Sequence, residues 1–334
     1  MKSLNYTSIK LINLNLMKGN KTMKKIVLMI SAISAALLSG VTAARADVSV
    51  SGSAAAGVVS GDSTNGTRVY NGGAVAFALS SDLGNGVVVS TSAGISLDNN
   101  DAKALSTVNA TGLSNLSFAT GGATITLGGD IDIAGDGVGE LGGVAGDLVD
   151  EGGYNTSPVG TGLTQEDGYG VSVSTAIGAA SLTASFILDS DGDANWASTD
   201  DTGTATGVQV TVPMGDLSVT VGTGTNDVNS ESVVGGEVAY TLGLGTVKAG
   251  MAEKSGNTDN SKWGIEYHGS VGTASLKVGY MSATQGTSKS TQTEASISQS
   301  IGAGASIYLD IQSGSGVGTT DKGTNIAVGT SFSF

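Results

Sequence analysis

Cysteine is missing from all 334 residues, so the chain can build neither a disulfide framework nor a thiolate metal site. Proline occurs only twice, aromatic residues make up 4% of the chain, and a single histidine, His268, is present. Beyond residue 46 no stretch approaches the ~18 consecutive apolar residues of a transmembrane helix, which excludes membrane helices of the ordinary kind. Basic residues are scarce too, at 15 against 29 acidic. Residues 1–46 hold seven of those basic groups and no acidic one, leaving 8 against 29, a net charge of −21. Nucleic acid is thereby excluded as a partner, because neutralising phosphates takes clustered Lys and Arg. Catalysis lacks its usual parts: no serine stands in a nucleophile-elbow sequence to use His268, and the paired carboxylates have no second group to tune them as acid and base. The chain reads as no enzyme.

What is present starts with a leader. From Met23 the sequence runs through two lysines, an apolar stretch from Ile26 to Leu38, and small residues ending Ala44-Arg45-Ala46. That is the order of a secretory signal peptide over residues 23–46, with the mature chain starting at Asp47. The apolar run is shorter than the ~20 residues that an uncleaved anchor would need. Residues 1–22 carry four lysines and no hydrophobic core, as expected of an upstream extension before a true start at Met23.

Glycine is abundant at 53 residues, yet 39% of the chain is hydrophobic and regularly ordered, which separates it from disordered sequences. The order has period two. Val87-Val89-Thr91-Ala93-Ile95-Leu97, Tyr169-Val171-Val173-Thr175-Ile177, Leu182-Ala184-Phe186-Leu188, Val234-Gly236-Val238-Tyr240-Leu242 and Ile326-Val328-Thr330-Phe332-Phe334 each predict a strand with one apolar face. Short turns are predicted at 82–86, 120–122, 178–180, 213–216, 243–245, 270–273 and 302–304. The intervals between them each fit a strand, a longer polar loop and a returning strand. Eight such units over 47–334 predict an all-β, sixteen-stranded antiparallel transmembrane barrel. The same parity puts Arg68, Glu237, Lys248, Lys262, Glu266, His268, Lys277, Glu294 and Asp310 opposite the apolar faces, as wall residues of a lumen. A soluble sandwich would also segregate charge in this way.

One interval is far longer than the others. Its excess, residues 128–168, contains Asp130, Asp132, Asp136, Glu140, Asp147, Asp150, Glu151, Glu166 and Asp167 and no basic residue. A loop of this length within a folded chain is usually functional or disordered.

Five short segments carry a family resemblance: Asp47-Val-Ser-Val-Ser-Gly52, Leu127-Gly-Gly-Asp130, Gly146-Asp147-Leu148, Gly302-Ala-Gly-Ala-Ser306 and Val328-Gly-Thr-Ser-Phe-Ser-Phe334. In their order the chain resembles the porins of alphaproteobacteria, the family of the Rhodobacter porins. Its closing Phe334 is similar to the terminal aromatic by which outer-membrane barrels are recognised for insertion. The resemblance implies a homotrimer among membrane lipid and lipopolysaccharide, with residues 128–168 folded into the lumen as a constriction loop. It also implies that Asp130, Asp132, Asp136, Glu140, Asp147, Asp150 and Glu151 face a basic cluster across a narrow pore. Here the chain departs from the family, since Arg68 is the only arginine after the leader. The expectation is a negative eyelet passing small hydrophilic solutes with a preference for cations.

Other readings remain on the sequence alone. Gly128-Gly129-Asp130-Ile131-Asp132 suits a structural Ca²⁺, although no nonapeptide period follows and no other cofactor is expected. A secreted adhesive or structural β-protein shares the leader, the glycines and the acidity, but solenoid coils repeat at a fixed short period. Trp263, Tyr267, Tyr240 and Tyr280 are either a partial interfacial girdle or scattered surface aromatics.

Overall fold

A computed structural model describes residues 45–61, 66–84, 86–98, 107–111, 113–141, 144, 161, 163, 168–189, 203–227, 229–256, 259–316 and 323–334. The strands are β1 (Arg45–Gly61), β2 (Gly66–Asp82), β3 (Val88–Asp98), β4 (Thr107–Thr111), β5 (Leu116–Thr120), β6 (Ala123–Gly128), β7 (Tyr169–Ile177), β8 (Ala180–Asp189) and β9 (Ala205–Met214). They continue with β10 (Leu217–Asn226), β11 (Glu231–Leu242), β12 (Gly245–Ser255), β13 (Asn260–Val271), β14 (Ala274–Gln285), β15 (Ser288–Gly302), β16 (Ala305–Gly316) and β17 (Gly323–Ser333).

Neighbours in the chain pair antiparallel, apart from β4 and β5, and β17 pairs back onto β1, so the sheet closes on itself. Both β4 and β5 pair with β3. They are two halves of one interrupted stave, and the barrel has the sixteen staves that the turn spacing predicts. Between the halves Ser114 keeps the ladder supplied, its N–H donating to Ser92 O at 2.7 Å and its Oγ accepting from Ser92 N at 2.8 Å. At the seam Gly52 and Phe334 exchange two backbone bonds of 3.0 Å each. A methyl on Gly52 would meet the Phe334 ring, with Cε1 at 2.7 Å, so a side chain there would displace the terminal aromatic.

All seven predicted turns are found between the expected strands. Gly215 (φ 67°) and Gly272 (φ 63°) supply the left-handed residue that tight hairpins need. The other rim differs from expectation. Instead of a long loop in every unit, β10–β11, β12–β13 and β14–β15 are joined by 227–230, 256–259 and 286–287. The alternating pattern simply runs on, and the residues assigned to loops belong to strands of ten to fifteen residues.

The burial pattern is inverted relative to a soluble protein. Val234 is 57% exposed and Val328 55%, whereas Glu294 is 1% exposed and Asp310 0%. A sandwich would bury the valines and wet the carboxylates. Only lipid outside and a filled, polar interior make this arrangement favourable. Among the described side chains within strands, Glu253 and Lys289 alone carry charge with outward parity. Both lie near the ends of β12 and β15 away from the short turns, at the rim of the apolar band.

Candidate pore constriction

The long connection leaves the wall at Gly128 and returns at Tyr169. Its first residues alternate as a strand does. Ile131 and Ile133 turn to the wall and pack with Leu163, Ile187, Ala205 and Val233, while Asp130 and Asp132 point the other way and stay exposed. Burying the isoleucines therefore fixes where the carboxylates face. Asn115 holds the entry, its Oδ1 accepting from Asp130 N at 3.2 Å and its Nδ2 donating to Asp130 O. Next comes Gly135-Asp-Gly-Val-Gly139, whose three glycines have φ of 88°, 71° and 83°. This winds the chain through successive turns, with Asp136 N donating to Ile133 O at 3.0 Å and Glu140 N to Gly137 O at 3.0 Å.

Polar side chains pin this limb to the wall and to the returning limb. Ser185 Oγ accepts from Ala134 N at 2.6 Å. Ile131 and Gly168 exchange backbone bonds of 2.9 and 3.2 Å. Asp136 Oδ1 accepts from Leu163 N at 3.0 Å, and Glu140 Oε1 accepts from both Thr161 N and Thr161 Oγ1. Glu140 Oε2 also meets Lys262 Nζ at 3.6 Å. Farther along, Glu294 Oε2 accepts from Val144 N, and its Oε1 accepts from Gln292 Nε2 and, at 2.9 Å, from Gln312 Nε2. A carboxylate that accepts several hydrogen bonds out of solvent is costly to remove.

Beside the loop lies a cavity of about 440 Å³. Asp130 and Asp132 line it from the loop, and Thr126, Ser172, Thr183 and Gln209 line it from β6–β9. That wall is neutral. Its hydroxyls satisfy one another across strands, Ser174 to Thr183 at 2.9 Å and Ser117 to Thr126 at 3.1 Å. The described part of the loop packs over β8–β15, and the inward residues Ser49, Ser51, Ser53, Ala74, Ala76 and Ala78 of β1 and β2 are exposed.

A closed sixteen-stave barrel with an inward loop has known counterparts, and a family model, described as Gram-negative porin, matches residues 31–332. The chain belongs to the Gram-negative porin family. Among solved structures, the anion-selective porin from Comamonas acidovorans matches with a TM-score of 0.62 at 14% identity, over 87% of this chain and 100% of that one. A triple mutant of the Rhodopseudomonas blastica porin gives 0.65 at 13%, over 86% and 100%. OmpT of Vibrio cholerae, in a loop-deletion form, gives 0.62 at 14%, over 86% and 99%. Such identities carry the fold and nothing finer. No curated protein matches the chain.

The porin's wall charges lie on the strand faces opposite the exposed apolar side chains, at different heights and in different company. Lys262 lies against Glu140 of the loop. Lys248 Nζ is 3.8 Å from Glu237 Oε1, and His268 Nε2 is 3.2 Å from Glu266 Oε2. Lys248 and Lys277 stand four residues from the short turns at Leu244 and Thr273, between the loop and that rim. Arg68 lies fifteen residues before Leu83, close to the opposite rim and away from the loop's level. Asp310 is buried on β16. Asp147, Asp150 and Glu151 lie outside the described residues. Among the described residues no three His, Asp or Glu side chains gather as metal ligands. Sequence reasoning missed Asn115, Ser185, Gln292 and Gln312, which hold the loop directly or through Glu294. It missed an ion pair as well, Lys254 Nζ to Glu231 Oε1 at 3.1 Å.

Proposed function

We propose that this porin forms a cation-preferring diffusion channel for small hydrophilic solutes, working as a homotrimer after residues 23–46 are removed on export. One observation carries the ion preference. Of the described loop carboxylates, Asp136 and Glu140 are engaged in holding the returning limb, whereas Asp130 and Asp132 stay exposed over a neutral wall. Fixed carboxylates beside a narrow aqueous path attract cations and repel anions. The Comamonas porin is described as anion-selective, but at 14% identity its selectivity does not pass to this chain. The trimer is supported by an uneven exterior. Tyr240, Trp263, Tyr267 and Tyr280 point outward on β11, β13 and β14, with Trp263 and Tyr280 ring centroids 5.5 Å apart, as suits a surface facing lipid. By contrast β1 and β2 present Gly52, Ala54, Ala56 and Gly73, a smooth face on which another copy can sit closely. The test is the zero-current potential across a planar bilayer under a KCl gradient. Cation preference makes the dilute side positive; a negative dilute side overturns the proposal.

A further inference from the structure

Six glycines on successive strands face the lumen directly beneath the loop: Gly207, Gly222, Gly235, Gly250, Gly264 and Gly279. Their heights follow a rule. Counted to the nearest short-turn residue (Gly215, Asp216, Gly243, Leu244, Gly272 and Thr273), they stand eight, six, eight, six, eight and six residues away. They form a level track across the wall, parallel to the rim. The loop's two attachments share that level, Gly128 six residues from Gly122 and Gly170 eight from Gly178.

The loop rests on this track, by its backbone over Gly207, Gly222, Gly235 and Gly250 and by side chains over Gly264 and Gly279. A methyl on Gly222 would lie 2.6 Å from Gly135 Cα and 2.8 Å from Val138 Cγ2. On Gly207 it would collide with Ala134 O, and on Gly235 with Val138 O. On Gly250 it would be 2.7 Å from Gly139 O; on Gly264, 3.3 Å from Leu141 Cδ1; on Gly279, 3.2 Å from Val144 Cγ1. Ser185, Lys262 and Glu294 pull the loop to the wall at intervals, and the glycines let it come that close.

We propose that these six glycines are the positioning residues of the constriction, setting how far the loop stands from the wall and hence the free cross-section of the pore. The proposal rests on the channel reading above. A side chain on the track pushes the loop toward the exposed inward side chains of β1 and β2, and a packed interior passes such a shift on because it cannot absorb the added volume.

Adjacent residues of β11 provide the test. Gly235 faces the loop, while Gly236 faces outward with nothing nearer than Thr220 O at 3.8 Å. Gly235→Ala and Gly236→Ala make the same chemical change in the same strand, so an effect on strand propensity alone appears in both. Single-channel conductance in planar bilayers is expected to fall by on the order of twofold in Gly235→Ala and to stay at the wild-type value in Gly236→Ala. Gly279→Ala, which meets only side-chain atoms, is expected to fold and to give a smaller fall in the same direction. Wild-type conductance in Gly279→Ala and in any folded Gly235→Ala overturns the track. Equal changes in Gly235→Ala and Gly236→Ala overturn it too. A wild-type protein that never conducts would instead count against the channel reading.

Discussion

Asp130-Ile-Asp-Ile133 shows how single residues set where carboxylates face. The isoleucines reach the apolar cluster inside the wall, and the alternation of an extended backbone leaves the aspartates no direction but the cavity. Neutralising both, as Asp130→Asn with Asp132→Asn, is expected to move the zero-current potential toward zero while conductance steps persist. An unchanged potential would place the selecting charges elsewhere. Glu294 works differently, since three donors converge on it out of solvent. Replacing it with Ala strands the Val144 N–H and the two glutamine amides, at a cost of about 1–3 kcal/mol per unsatisfied group. Unfolding in denaturant should therefore occur earlier than in the wild type, with noisier open-channel current as the loop end loosens. Equal midpoints and equal noise would show that Glu294 does not hold the loop.

At the scale of elements, parity decides what each strand tolerates. In β11, Val238 faces lipid and Ala239 faces the lumen. Val238→Lys is expected to lose roughly 2–4 kcal/mol of folding free energy if it lies near the midplane, whereas Ala239→Lys enters the wet interior at little cost. Refolding yield into lipid vesicles, read from the heat-modifiable band on gels, should separate the two variants. The strands were legible in the sequence for the same reason: period-two alternation records which face meets lipid, and Tyr169–Ile177 is predicted and found with the same ends. Turns were legible through glycine. The lengths at the other rim were not, because polar residues that extend a strand toward the lumen look like loop residues when no partner strand is in view. The loop's acidic composition was plain, but which carboxylates act as clamps depends on Thr161, Leu163 and Val144, partners that no local pattern announces. The glycine track did leave a trace, in glycines that recur thirteen to fifteen residues apart from Gly207 to Gly279, one per strand.

For the molecule as a whole, the closed barrel, its inverted burial and the inward loop describe one device, an aqueous path through lipid. Closure pairs strand backbones with one another in hydrocarbon, and outward valines, leucines and isoleucines replace the core that a soluble protein of this size would bury. Among the described residues, the loop covers the β8–β15 side of the interior, and the inward side chains of β1 and β2 nearest the short turns stay exposed. Reconstitution of the purified protein into a planar bilayer tests this directly. The account predicts discrete, long-lived conductance steps that are nearly ohmic at low voltage. A protein that stays dispersed without detergent and leaves the bilayer's conductance at its protein-free value would contradict it.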